Sequence, residues 1–263
     1  MARPVIALLT DFGTRDHYAG AMKGVALGIC PDAVLVDVTH EVPAHDVVAG
    51  AFELAACYKY FPSGTVFLVV VDPGVGSSRR GIAAEAGDCK FVAPDNGVLS
   101  LVFDEVPPRR VVELTERRYA RPTVSRTFEG RDRFAPAAAW LAKGIELTAL
   151  GRPASAVQRL QVPRPCMTDE GLVGEVVRVD RFGNLITNID RKTFEKLGGD
   201  RVEVQAGGRQ ISKIVSTYAD AARGEVCALF GGSDHLEIAA SGESAAALLG
   251  ISRGASVHVA RGA

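Results

Sequence analysis

Val5-Ile6-Ala7-Leu8-Leu9-Thr10-Asp11 is a short, unbroken apolar run that closes on an acid. Similar runs return at Val34-Leu35-Val36-Asp37-Val38 and at Thr65-Val66-Phe67-Leu68-Val69-Val70-Val71-Asp72. Continuous runs of this length read as strands buried on both faces, because a strand with one wet face alternates apolar and polar residues. Longer stretches of helical spacing separate them, around Ala19 to Ile29 and Asp46 to Tyr60. The pattern is therefore a β-α-β-α-β opening, a parallel sheet covered by its crossover helices. A further helix is expected from near Arg131 through Trp140 to Ala142, with Gly144 as its stop signal.

Beyond this opening the character of the chain changes. From about Leu150 to Pro165 it is rich in Pro, Arg and Gln without periodicity, which reads as a linker. After Gly171 come short alternating segments: Val173 to Val179, Leu185 to Ile189, Arg201 to Val204, Val226 to Phe230, Leu236 to Ala239 and Val257 to Val259. They suit antiparallel strands of a small barrel or sandwich, interrupted by one short helix near Ser244 to Leu249. Two domains are expected, residues 1–160 and 170–263.

Composition narrows the functional classes. The 263 residues are 47% hydrophobic, enough for a substantial core, and 30 basic side chains nearly balance 31 acidic ones. No basic stripe fits a run of phosphates, so nucleic acid is not expected as a partner. No apolar run approaches the ~20 residues of a membrane span, and the start shows no signal-type cleavage site, so no membrane association is expected and the location is expected to be cytoplasmic. Five cysteines, odd in number and without a C-x-x-C pair, read as reduced packing residues rather than a disulfide frame or a zinc site.

In an open parallel sheet, ligands bind beyond the carboxyl ends of the strands. There the sequence places Thr10-Asp11-Phe12-Gly13-Thr14-Arg15-Asp16, Asp37-Val38-Thr39-His40 and Asp72-Pro73-Gly74-Val75-Gly76-Ser77-Ser78-Arg79. Asp and Gly serve turns for local reasons. Three acidic strand ends facing one crevice would also accept hydrogen bonds from ribose hydroxyls or an ammonium group. The glycines match neither G-x-x-x-x-G-K-[ST] nor G-x-G-x-x-G, which disfavours ATP and NAD. Asp72 and Arg79 lie within ion-pairing reach across their loop. Glu129, in Thr127-Phe128-Glu129-Gly130-Arg131-Asp132, stands at a helix entrance where a carboxylate can reach the crevice as a base. In the second half, Asp180-Arg181-Phe182-Gly183-Asn184 joins an acid, an aromatic and an amide in one turn, and Gly231-Gly232-Ser233-Asp234-His235 forms another. An aromatic there can stack on a base while an amide meets its edge. The histidines have no metal-ligand spacing, and His258 alternates with apolar neighbours as a structural residue.

Taken together these loops resemble the S-adenosyl-L-methionine hydroxide adenosyltransferases, relatives of the enzymes that make 5′-halogenated adenosines. The similarity runs end to end and includes Met22-Lys23-Gly24 and Ala93-Pro94-Asp95-Asn96-Gly97. It implies a Rossmann-like N-terminal domain, a C-terminal β-barrel, no metal or redox cofactor, and a homotrimer with active sites between one subunit's first domain and its neighbour's second. By the same resemblance, Asp11 holds the ribose hydroxyls and Asp16 and Asp180 the methionine ammonium. Phe182, Asn184 and the Ser233 turn hold the adenine or methionine ends. The water-activating set is an Asp, an Arg and a His, and the first two fall on Asp72 and Arg79.

The third position departs from the pattern. Where the family reads Thr-Phe-His-Gly-Arg-Asp this chain has Glu129, and Gly232-Ser233-Asp234 stands where Ser-Ser-Gly is usual. The expected reaction is displacement of methionine from the 5′ carbon by water or hydroxide, with Asp72, Arg79 and Glu129 as the catalytic group. Three alternatives remain open at the level of sequence. A halogenase would need a desolvated halide pocket, a calcium-dependent nucleoside hydrolase would need a carboxylate cluster around an ion, and a non-catalytic sensor would bind the nucleoside without turnover.

Overall fold

The computed structural model describes residues 3–198 and 202–261. The chain divides into two compact units, Met1–Gln161 and Val162–Ala263.

The first unit opens with β1 (Val5–Thr10), α1 (Tyr18–Ile29), β2 (Val34–Thr39), α2 (Val47–Cys57) and β3 (Val66–Val70). It continues with β4 (Gly81–Ala86), β5 (Cys89–Pro94), α3 (Ser100–Glu105), β6 (Pro108–Glu113) and α4 (Ala135–Ala142). The strand order is β2-β1-β3-β5-β4-β6. β2, β1, β3 and β5 run parallel, whereas β4 is antiparallel to both β5 and β6. The expected all-parallel sheet is thus a mixed one. The sequence pattern missed its far half because β4, Gly-Ile-Ala-Ala-Glu-Ala, is made of small residues with little strand signal. At Gly81 the small residue has a packing reason: a side chain added there would meet the Phe134 ring.

Both faces of the sheet are covered. Ile6, Leu8, Val66, Leu68 and Val70 point to one side, where Met22 and Ala26 of α1 pack with Ala135, Ala138 and Leu141 of α4. The alternate residues Ala7, Leu9, Phe67, Val69 and Val71 face Leu54 and Ala55 of α2 and Val102 and Phe103 of α3. Helix α2 starts where Asp46 accepts a hydrogen bond from Ala49 N–H at 2.9 Å, the usual N-cap arrangement. From β1 the chain steps to β2 on one side, then crosses to β3 on the other, so the carboxyl ends of β1 and β3 diverge around a topological switch point. Register pairs Thr10 with Val70, so Asp11 and the turn through Asp72 leave the sheet side by side.

The segment read as a linker is strapped along this unit. Asp95 and Ser100 accept hydrogen bonds from Gln158 and Leu160 N–H, both at 2.8 Å.

The second unit holds β7 (Cys166–Thr168), β8 (Gly171–Val179), β9 (Leu185–Asp190), α5 (Arg191–Glu195), β10 (Val202–Ala206) and β11 (Arg209–Ile211). β12 (Val226–Phe230), β13 (His235–Ala240), α6 (Ala245–Leu249) and β14 (Ser256–Arg261) complete it. The order β11-β10-β14-β8-β9-β13-β12 is antiparallel throughout, with β7 added beside β8. Its two ends approach through a bridge between Ile214 and Ala228, giving a nearly closed barrel. Leu172, Val176, Leu185, Val204, Ile238 and Val257 fill its core. Of the expected strand beginning at Arg201, that first residue lies outside the described residues. His258, read as structural, is exposed between buried Val257 and Val259. Among the described residues no helix is long and apolar enough to cross a membrane.

Candidate active site

The turn after β3 folds back on itself, with Val75 N–H donating to Asp72 O at 3.2 Å and Ser77 N–H to Gly74 O at 3.1 Å. This brings Arg79 onto Asp72. Arg79 Nε donates to Asp72 Oδ1 at 2.9 Å and its Nη2 to Oδ2, a two-pronged pair. The pair is nearly sealed from solvent, the side chains being 10% and 5% exposed. The guanidinium lies over the fully buried Phe134 ring, 5.1 Å from its centroid.

Glu129 reaches the same arginine from the other side. Its Oε2 stands 2.5 Å from Arg79 Nη2, and its Oε1 accepts from Arg133 Nη1 at 2.9 Å. Arg133 in turn donates through Nη2 to the Leu114 carbonyl at 2.7 Å. Gly130 to Phe134 form one π-helical turn between Glu129 and α4, a local widening often found at functional sites. The result is an alternating chain of charges, Asp72, Arg79, Glu129 and Arg133. Two buried side-chain atoms in it, Arg79 Nη1 and Glu129 Oε2, make no directed hydrogen bond among the described residues. The Oε2 contact with Nη2 is close but lies off the N–H direction, whereas Nη1 is a donor with no acceptor. Burial pushes the Asp72 carboxyl above the usual carboxylate range, and the charge of Glu129 adds to that rise against the pull of Arg79. Burial opposes the charge on Arg79, yet Asp72 and Glu129 together hold it above its ordinary value.

The loop after β1 is fixed by a second network. Asp11 Oδ2 accepts from His45 N–H at 2.8 Å, and Gly13 N–H donates to His40 O at 2.7 Å. Buried His40 bridges Thr10 Oγ1 at 2.8 Å and Asp37 Oδ1 at 3.0 Å, and Lys23 Nζ lies 2.6 Å from Asp37 Oδ2. Burial works against the Asp37 charge, but Lys23 and His40 hold its carboxyl below the usual range. The ionised Asp37 carboxylate accepts from Nε2, and Nδ1 lies within hydrogen-bond distance of the Thr10 hydroxyl. Asp16, by contrast, is exposed.

In the second unit, the turn joining β8 to β9 is built on Asp180. Its Oδ1 accepts from the N–H groups of Phe182 at 2.8 Å and Asn184 at 2.9 Å, and its Oδ2 from Asn184 Nδ2 at 3.0 Å. Gly183, at φ +82°, has no room for a side chain against Ser244. This tight turn leaves Phe182 75% exposed while Asn184 is buried. On the β12–β13 turn, Ser233 O faces His235 Nδ1 at 2.9 Å, and Asp234 pairs with Arg191 at 2.7 Å. Beneath it, Tyr218 donates to buried Glu237 at 2.6 Å. Among the described residues no three His, Cys, Asp or Glu side chains converge as metal ligands.

The model of the SAM hydroxide adenosyltransferase N-terminal domain matches residues 6–151, and that of the C-terminal domain matches residues 174–258. The chain belongs to the SAM hydroxide adenosyltransferase family. It is 41% identical to an (R)-S-adenosyl-L-methionine hydrolase of Salinispora tropica, with 98% of each chain covered, and 38% identical to one of Thermus thermophilus, covering 98% of this chain and 99% of the relative. A fluorinase of Nocardia brasiliensis is 29% identical, covering 98% of this chain and 97% of the relative. A crystal structure of an uncharacterized conserved protein from Thermotoga maritima superposes with a TM-score of 0.93 at 37% identity, covering 97% of this chain and all of the other.

Within this SAM hydroxide adenosyltransferase fold, Asp72, Arg79 and Glu129 meet in one cluster. Asp11 leaves the sheet beside them, and Asp180, Phe182 and Asn184 share one turn of the second unit. The sequence alone assigned no role to Arg133 or Phe134 at the charged helix entrance and did not join Lys23, Asp37, His40 and Thr10 into one network. The Glu129–Arg133 pair did carry a signal, the four-residue spacing at which side chains on a helix face meet.

Proposed function

We propose that the protein hydrolyses S-adenosyl-L-methionine to adenosine and L-methionine by attack of water or hydroxide on the 5′ carbon. The observation that carries this reading is Arg79 Nη1, a buried donor without an acceptor among the described residues, on a guanidinium fixed from both sides. A donor so placed stabilises hydroxide character on an attacking oxygen, and burial strengthens the effect. The C5′–O bond forms as the C5′–S bond breaks. The electron pair passes to sulfur, and methionine leaves as a neutral thioether, so the step requires neither an acid nor a metal or redox cofactor. Asp72 aligns Arg79, and Glu129, touching the same guanidinium, accepts the proton.

Asp11 is assigned to the ribose hydroxyls, and Asp16 and Asp180 to the methionine ammonium. Exposed Phe182 stacks on adenine. Asn184 commits its amide nitrogen to Asp180, leaving its oxygen to accept from the adenine amine. The Ser233 turn contacts the methionine end. We assign the first unit to the Rossmann-like class on its 2-1-3 strand order. We further infer a homotrimer in which the Phe182 turn of one subunit completes its neighbour's site, and a cytoplasmic location that suits five free cysteines.

Two carboxylates flanking Arg79 repel a halide and favour water. The test is to incubate the purified protein with S-adenosylmethionine in chelator, with and without chloride, and separate the nucleosides. Adenosine and methionine in equal amounts, independent of chloride and lost in Asp72→Asn, are the expected products. A chlorinated nucleoside, or tight binding without turnover, overturns the reading.

A further inference from the structure

Arg133 touches neither Asp72 nor Arg79, yet it decides where Glu129 points. It holds one carboxylate oxygen at 2.9 Å and is itself tied to the Leu114 carbonyl at 2.7 Å, so the carboxylate cannot rotate without breaking a fixed pair. The other oxygen is thereby directed at Arg79. Behind the pair opens a cleft of about 340 Å³ whose wall includes Glu129, Arg133, Ala137 and Leu150. Glu129 thus stands between the sealed Asp72–Arg79 pair and solvent, the place from which an accepted proton can leave. The net reaction releases one proton for each cationic sulfonium converted to a neutral thioether.

We propose that Arg133 is the positioning residue of the water-activating cluster, fixing Glu129 in the orientation in which it accepts the proton from the attacking water. This rests on the hydrolase reading above. The charged groups facing Glu129 are Arg79 and Asp72 from the turn after β3 and Arg133 from its own turn. Across the cleft stand Glu113 and Glu116 with Arg117 and Tyr119. Arg133 supplies one of the two positive charges in direct contact with Glu129. Its removal leaves Glu129 with a single cationic contact and its carboxylate free to rotate away from Arg79.

The experiment compares wild type, Arg133→Met and Arg133→Lys in kcat and KM for S-adenosylmethionine from pH 4.5 to 9, with a melting curve for each. In Arg133→Met, kcat is expected to fall on the order of ten-fold or more, with KM within about two-fold, and the pH profile of kcat is expected to change shape. Arg133→Lys, which keeps the charge, is expected to recover most of kcat and the wild-type profile. A kcat and profile that stay as in wild type, or a loss carried by KM, overturns the proposal while leaving the hydrolase reading intact. A wild-type protein that yields no adenosine overturns both. Should Arg133→Met fail to fold, Arg133→Lys against Arg133→Gln reads the same comparison.

Discussion

At the scale of single residues, the site depends on a few specific contacts. Asp72→Asn keeps the shape of the pair with Arg79 but removes its charge. Turnover is expected to fall at least about a hundred-fold, the scale of losing one preorganised electrostatic contact, while adenosine still binds by calorimetry. Gly76, at φ +76°, lies against the Arg126 carbonyl, and Arg126 Nη2 donates back to Gly76 O at 3.0 Å. Gly76→Ala forces both a disfavoured backbone and a collision. It is expected to cost about 1–3 kcal/mol in chemical unfolding and to lower kcat by loosening the turn from the segment that carries Glu129. Phe182 is different, because it is exposed and packs on little. Phe182→Ala is expected to leave the melting temperature unchanged and to raise KM about five- to ten-fold, the loss of one stacking contact worth roughly 1 kcal/mol. The Asp72–Arg79 pairing was legible in the sequence because one turn contains both residues. The role of Arg133 was not, because a charged helix entrance reads equally well as a solvated one.

At the scale of elements, the π-helical turn before α4 is held by Asp132. This side chain has no exposed surface, receives Arg131 at 2.8 and 2.9 Å, and accepts from Ser125 N–H at 2.8 Å. Burial opposes its charge, but these partners hold the Asp132 carboxyl below the usual range. A carboxylate lowered on folding contributes stability above its unfolded pKa of about 3.9, and that stability is lost as pH falls through the folded value. Thermal melts are therefore expected to show stability declining below about pH 4. Asp132→Asn is expected to melt lower at pH 7, by about 3 kcal/mol, with a shallower acid decline. The first three strands and their helices were readable, since long runs of Val, Leu and Ile between helical stretches have few other interpretations. β4 was not, because its Ala and Gly residues carry little strand signal, and at Gly81 the small residue answers to Phe134, a contact more than fifty residues away in sequence. In the second unit alternation revealed the main strands, while three-residue β7 and β11 are too short to show a period.

At the scale of the whole molecule, the two units carry complementary halves of the proposed chemistry. One bears the water-activating cluster and the ribose-binding acid, and the other the turn with the exposed aromatic. A homotrimer is the arrangement we infer, and light scattering of the purified protein is expected to give three times the 27.8 kDa chain mass. A monomer that turns over substrate would contradict shared sites. The near balance of charge and the absence of dinucleotide motifs limited what the ligand could be, but the ligand class itself came only from the resemblance of several loops, taken together, to a known family.

The central claim is that an oxygen from water joins the 5′ carbon as methionine departs. It is tested most directly by running the reaction in ¹⁸O-labelled water and locating the label by mass spectrometry. One ¹⁸O in adenosine, on the 5′ oxygen, with none in methionine, is the result this account predicts. Unlabelled adenosine, or no adenosine from the active-site cluster intact, would contradict it.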